Sequence, residues 1–193
     1  TKVADPYRWL EDPDSADTRQ WVQDENKITF SYLEKIPARQ QIKDRMTKLM
    51  NYERYSVPFH EGGRYFYSKN NGLQNQNVWF WTDSLTGEPK VLLDPNTLSK
   101  DGTVAVSGMA VSHDGKLLAY SISGAGSDWQ EWHVRDIAAG SDLEDTLKWV
   151  KFSGASWSAD NKGIFYSRYE EPNQATMMKA TNPAGAAAAV RGR

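Results

Sequence analysis

Serine, histidine and carboxylate side chains are the groups through which this chain could do nucleophilic, acid–base or metal chemistry, and their spacing decides which could act together. A serine nucleophile of the elbow type needs a strained Gly-x-Ser-x-Gly turn between a strand and a helix, followed by an acid and a histidine. The nearest approach is Gly154-Ala155-Ser156-Trp157-Ser158. Its fifth position is serine, and it lies between two short apolar runs with strand character, so Ser156 reads as a strand residue. His60 and His113 each stand just before a turn, where a solvated role suffices. His133 alternates with Trp132 and Val134, as a half-buried strand residue does. No two of the three histidines have the spacing of a zinc site, and the chain has no cysteine, which excludes thiolate ligands, disulfides and a cysteine nucleophile.

The remaining polar clusters read as structure. Asp12, Asp14 and Asp17 are close enough in sequence to suggest a cation site, but they stand where a helix would start and complement its dipole. Gly124-Ala125-Gly126-Ser127 lacks the downstream lysine and helix of a phosphate loop. Catalytic residues, metal ligands and cofactor-binding residues are therefore expected to be none within these residues.

The elements that would position these groups fall into two kinds. Asp14 or Ser15 caps a helix running to about Lys35, with Trp21, Ile28 and Tyr32 at helical spacing and Val22 and Leu33 flanking the stripe. Pro37 opens a second helix, whose apolar face is Ile42, Met46 and Leu49. From Tyr52 the period becomes that of strands. Tyr65-Phe66-Tyr67, Val78 to Trp81, Val91 to Leu93, Met109 to Val111, Leu117 to Ser121, Glu131 to Val134, Thr146 to Lys151, Ala155 to Trp157 and Ile164 to Tyr169 are the candidates.

Three of these runs end in Tyr-Ser after a turn: His60 to Ser68, Ser112 to Ser121 and Ser158 to Ser167. The Tyr-Ser pairs are 53 and 46 residues apart. That period belongs to a β-propeller blade. Two full blades and the start of a third are legible, where closure takes about 4–8. The expected fold is mainly β with an N-terminal α-helical arm, an incomplete β-propeller of about two to three blades. The expected organisation is a helical arm over residues 1–51, blades over 52–171, and an irregular or disordered tail over 172–193, where Ala184 to Arg193 is rich in Ala and Gly without periodicity.

At this point the residues resemble a known family. Asp5-Pro6-Tyr7-Arg8-Trp9-Leu10-Glu11-Asp12, Asn26-Lys27-Ile28-Thr29, Arg64-Tyr65-Phe66-Tyr67, Gly72-Leu73-Gln74-Asn75-Gln76, Leu93-Asp94-Pro95-Asn96, Asp101-Gly102-Thr103-Val104-Ala105, Gly126-Ser127-Asp128-Trp129 and Val150-Lys151-Phe152-Ser153 follow the order of the prolyl oligopeptidase family. The resemblance runs from about Asp5 to Glu170. It implies a cytoplasmic serine endopeptidase that cuts short peptides after proline, with a seven-bladed propeller inserted into an α/β-hydrolase domain built from both chain ends. On that reading this chain supplies the arm and first blades. The family's Ser, Asp and His lie beyond its last residue, so it would be inactive without its intramolecular partner, the C-terminal peptidase domain. The resemblance also gives Phe152 a role. It matches a phenylalanine that projects from the propeller toward the substrate cleft and lines the pocket for the residue two before the proline side. The residues themselves equally allow a blade-core aromatic.

Composition narrows the alternatives. Hydrophobic residues make up 39% and charged residues 25%, with eight Trp, nine Tyr and six Phe, which suits a soluble chain with much aromatic area to bury. A formal net charge of −2 makes no footprint for nucleic acid or an anionic membrane, and no apolar run is long enough to span a bilayer. A stand-alone propeller-like module that binds a protein partner is the second reading. Self-association that completes a ring from several copies is a weaker third.

Overall fold

Ser15 starts the first helix by lending its hydroxyl to the Thr18 N–H at 3.2 Å, one of the four N–H groups that a helix start leaves without an internal partner. The structure, a computed structural model, describes residues 3–171 and 184–188. It divides into two compact units, Thr1–Asn51 and Tyr52–Arg193. In the first unit α1 spans Ala16–Leu33 and α2 spans Arg39–Met50. A short 3-10 turn, Arg8–Glu11, precedes α1 and is tied to it. Thr18 Oγ1 donates to the Trp9 carbonyl at 3.2 Å, and the Trp9 and Trp21 rings meet edge-on at 6.4 Å. Pro37 and Ala38 form a turn closed by Arg39 N–H to Ile36 O at 3.1 Å, so α2 begins two residues after the proline instead of at it. The apolar stripes stand open: Ile28 is 64% exposed and Met46 59%.

Among the described residues the second unit forms three antiparallel sheets. The first comprises β1 (Arg54–Tyr55), β2 (Phe59–Glu61), β3 (Arg64–Asn70), β4 (Val78–Thr82) and β5 (Lys90–Leu93), ordered β1-β3-β4-β5 with β2 also on β3. The second is a four-stranded meander, β6 (Val104–Val111), β7 (Leu117–Gly124), β8 (Gln130–Asp136) and β9 (Ser141–Val150). The third comprises β10 (Ser156–Trp157), β11 (Ile164–Arg168) and β12 (Ala184–Ala188). β12 corrects the expectation for the tail: five of its residues pair with all of β11, from Ile164↔Ala188 to Arg168↔Ala184. The rest of the tail, 172–183 and 189–193, lies outside the described residues.

Period-two alternation sends successive residues to opposite faces, and β7 uses both. Leu118 and Tyr120 face the first sheet and share a core with Phe66, Trp81, Leu92, Leu93 and Ile137. Ala119 faces the third sheet, in a core with Trp132, Val134, Val150, Trp157, Ile164 and Tyr166. Tyr120 and Tyr166 therefore each point toward the preceding sheet. Both are buried, while Tyr67 in the first sheet stacks with Tyr55 and Phe80 on its own sheet. Among the described residues the sheets form an open series, a mainly β, unclosed propeller preceded in the chain by helices.

Polar side chains weld neighbouring sheets. The Gln76 amide acts as a strand surrogate, its Nε2 donating to Val104 O at 2.7 Å and its Oε1 accepting from Val106 N at 3.0 Å. Arg135 Nη1 donates to Leu92 O at 3.1 Å and its Nε to Asp142 at 2.8 Å. Asp142 also accepts the Tyr120 hydroxyl at 3.0 Å. Burial, then the Asp142 charge, pushes the Tyr120 phenol up to about 12.

The β6–β7 and β10–β11 turns are copies of one device. Ser112 Oγ donates to Asp114 at 2.7 Å and accepts Leu117 N–H at 2.9 Å, and Asp114 accepts Lys116 N–H at 3.1 Å. Ser158, Asp160, Lys162 and Gly163 repeat the set at 2.6, 3.0 and 3.1 Å. Gly115 (φ 68) and Asn161 (φ 58) take the left-handed position that these residue types tolerate. The turns also stack. Arg64 donates to Gly115 O at 2.8 Å, and Asn161 accepts His113 N–H at 2.8 Å. A Cβ on Gly62 would run into the Gly115 backbone.

Candidate functional site around Phe152

The opposite end of the second sheet gathers the β7–β8 turn, the exit of β9 and Phe152. An extended chain would carry Phe152 inward, on the side of fully buried Val150. Instead its φ is +48° and its side chain is 77% exposed. Trp149, three residues earlier, has φ +63°. Left-handed backbone at a non-glycine residue costs about 1–2 kcal/mol and persists only where surroundings enforce it.

Those surroundings are aromatic. Trp129 meets Trp149 edge-on at 6.0 Å and Tyr169 edge-on at 6.0 Å, and Lys151 Nζ lies 4.0 Å over the Trp129 ring. Perpendicular rings and a cation over a ring face are the arrangements that the ring quadrupole favours. Tyr169 N–H donates to Trp149 O at 2.8 Å, and Ser167 N–H donates to Ser153 Oγ at 2.9 Å. Gly124-Ala125-Gly126-Ser127 finds its purpose here. It turns through Ala125 (φ 50) and Gly126 (φ 73), and Ser127 Oγ accepts the Trp129 N–H at 3.1 Å.

The other residues weighed for chemistry are scattered. Ser156 is paired with Phe165 in a strand. Asp12 accepts Asp14 N–H at 3.0 Å, and Asp14 pairs with Arg19 at 2.8 Å, while Asp17 stands in the first turn of α1. His60 lies in β2 against the Tyr65 ring at 4.8 Å. His113 is in the stacked turn, 3.6 Å from Glu61. His133 is half-buried in β8 beside Tyr120 at 5.5 Å. Among the described residues no group of three His, Asp or Glu side chains could hold a metal, and no helix is long and apolar enough to cross a membrane. The structure brings Trp129, Trp149, Lys151 and Tyr169 together beside the segment that leads to exposed Phe152. Sequence reading missed these four as a group, and the aromatic residues of the 126–129 and 149–152 segments were the available signal.

Comparison with known proteins bears on the chain as a whole. The family model for the prolyl oligopeptidase N-terminal β-propeller domain matches residues 1–184. Prolyl endopeptidases of Elizabethkingia meningoseptica and Elizabethkingia miricola are each 44% identical, over 92% of this chain. The chain spans 25% of the length of each of these relatives. Among solved structures, one from a study of two prolyl endopeptidases and their inter-domain dynamics superposes with a TM-score of 0.83 at 34% identity, covering 90% of this chain and 26% of that one. Prolyl oligopeptidase B from Galerina marginata, bound to a macrocyclization substrate, gives 0.77 at 30% identity, covering 89% and 27%. Taken with unclosed antiparallel sheets that follow a helical segment in the chain, these matches show that the chain belongs to the prolyl oligopeptidase family, as part of its N-terminal region.

Proposed function

We propose that this chain is the arm and gate of a cytoplasmic serine endopeptidase that cuts short peptides after proline. Residues 1–51 belong with the peptidase domain and 52–171 form the first propeller blades. The chemistry is done elsewhere: a serine attacks the carbonyl after proline, with histidine as base, an acid orienting it and donors at the oxyanion. No Gly-x-Ser-x-Gly occurs in these 193 residues. The blades restrict entry to short peptides and keep water from the reacting bond. Phe152 lines the pocket for a residue upstream of the proline. The observation that carries this reading is the 44% identity to a prolyl endopeptidase over 92% of the chain, across both the arm and the sheets.

A graft tests it. Residues 1–171 replace the matching region of the 44%-identical relative, and cleavage after proline is measured on a dipeptide chromogenic amide of the Gly-Pro type and on a longer peptide. The graft is expected to cleave both. Phe152→Ala in the graft is expected to raise KM for the longer peptide about ten-fold, the worth of one lost apolar contact of 1–3 kcal/mol, with kcat and the dipeptide unaffected. A folded but inactive graft contradicts the gate reading. Equal KM values for both forms contradict the role of Phe152.

A further inference from the structure

The direction in which Phe152 points is set at a distance. Trp149, itself left-handed at φ +63°, and Lys151 flank Val150, and both side chains land on the Trp129 ring. Val150 between them is fully buried. With 149 and 151 held on one ring and 150 in the core, the chain cannot roll, and at Phe152 the backbone turns left-handed. Trp129 is itself fixed by Ser127 and by Tyr169. We infer that Trp129 is a positioning residue for Phe152: its ring locks segment 149–152 and so decides how Phe152 is presented to a peptide. This rests on the proposed pocket role of Phe152 and adds the residue that sets it without touching substrate.

The test is limited chymotrypsin digestion of the full 193-residue chain, with cleavage after Phe152 compared with cleavage after Phe165 by mass spectrometry. Phe165 is also exposed, at 57%, but it is paired within β11, so the ratio separates local release from general loosening. Trp129→Ala is expected to raise the Phe152-to-Phe165 cleavage ratio at least ten-fold, and Trp129→Phe to restore most of the protection. Lys151→Met, which keeps the stem and removes the cation, is expected to raise the ratio two- to five-fold, and it carries the test if Trp129→Ala does not fold. An unchanged ratio in these variants overturns the inference. In the graft, Trp129→Ala is expected to raise KM for the longer peptide and spare kcat, following Phe152→Ala. If the ratio rises while Phe152→Ala leaves KM alone, the positioning stands and the pocket reading falls.

Discussion

Phe152 combines two properties that rarely coincide by chance: a large apolar side chain left in solvent and a backbone conformation that its Cβ opposes. Packing does not reward that combination, so the cost is met by contacts of neighbours, Trp149 and Lys151 on Trp129. The two penalties can be separated by substitution. Alanine keeps the Cβ and its strain, whereas glycine removes both. Phe152→Gly should therefore melt above Phe152→Ala by the equivalent of about 1 kcal/mol, although glycine ordinarily destabilises. Thermal melts of the two variants check this, and a lower-melting glycine variant would show that the backbone there is unstrained.

The elements owe their arrangement to repeated local rules. The β6–β7 and β10–β11 turns each tie a serine hydroxyl and an aspartate to the same backbone groups, and Asn161 does in the third sheet what Gly115 does in the second. These carboxylates sit below their ordinary value of 3.8. For Asp160 the cause is first the Ser158 hydroxyl, then the Lys162 N–H. For Asp114 burial pushes upward, but the Ser112 hydroxyl and Lys116 outweigh it. A depressed carboxyl contributes stability above its unfolded value and loses it as pH falls through its lower folded value. The melting-temperature gap between the native chain and an Asp114→Asn, Asp160→Asn double variant should thus be open at pH 7 and shrink as pH drops below about 4. A gap that stays constant down to pH 2 would mean that the charges do not hold the turns.

Much of this was readable in residue order, because aromatic and β-branched alternation around a Ser-x-Asp-x-Lys turn is a local signal. The strand runs of Tyr65 to Tyr67, Val78 to Trp81 and Leu117 to Ser121 fall inside β3, β4 and β7. β12 was not readable, since Ala184–Ala188 has no side-chain alternation and gains its strand from pairing with β11. β1 was too short for a period. The Phe152 surroundings depend on left-handed angles at 149 and 152, and on rings from 129 and 169 meeting, which no local pattern encodes.

At the scale of the whole chain, the first sheet exposes Tyr55 and Val91, 57% and 56% open, on the face that carries Tyr67 and Phe80, and the helical stripes are open as well. These open apolar faces belong to a chain that spans 25% of the length of its prolyl endopeptidase relatives. The most direct measurement is hydrolysis of a Gly-Pro chromogenic peptide by the purified 193-residue chain, with and without a serine-directed inhibitor. No release above the buffer rate is predicted. Inhibitor-sensitive release that scales with chain concentration would contradict the account.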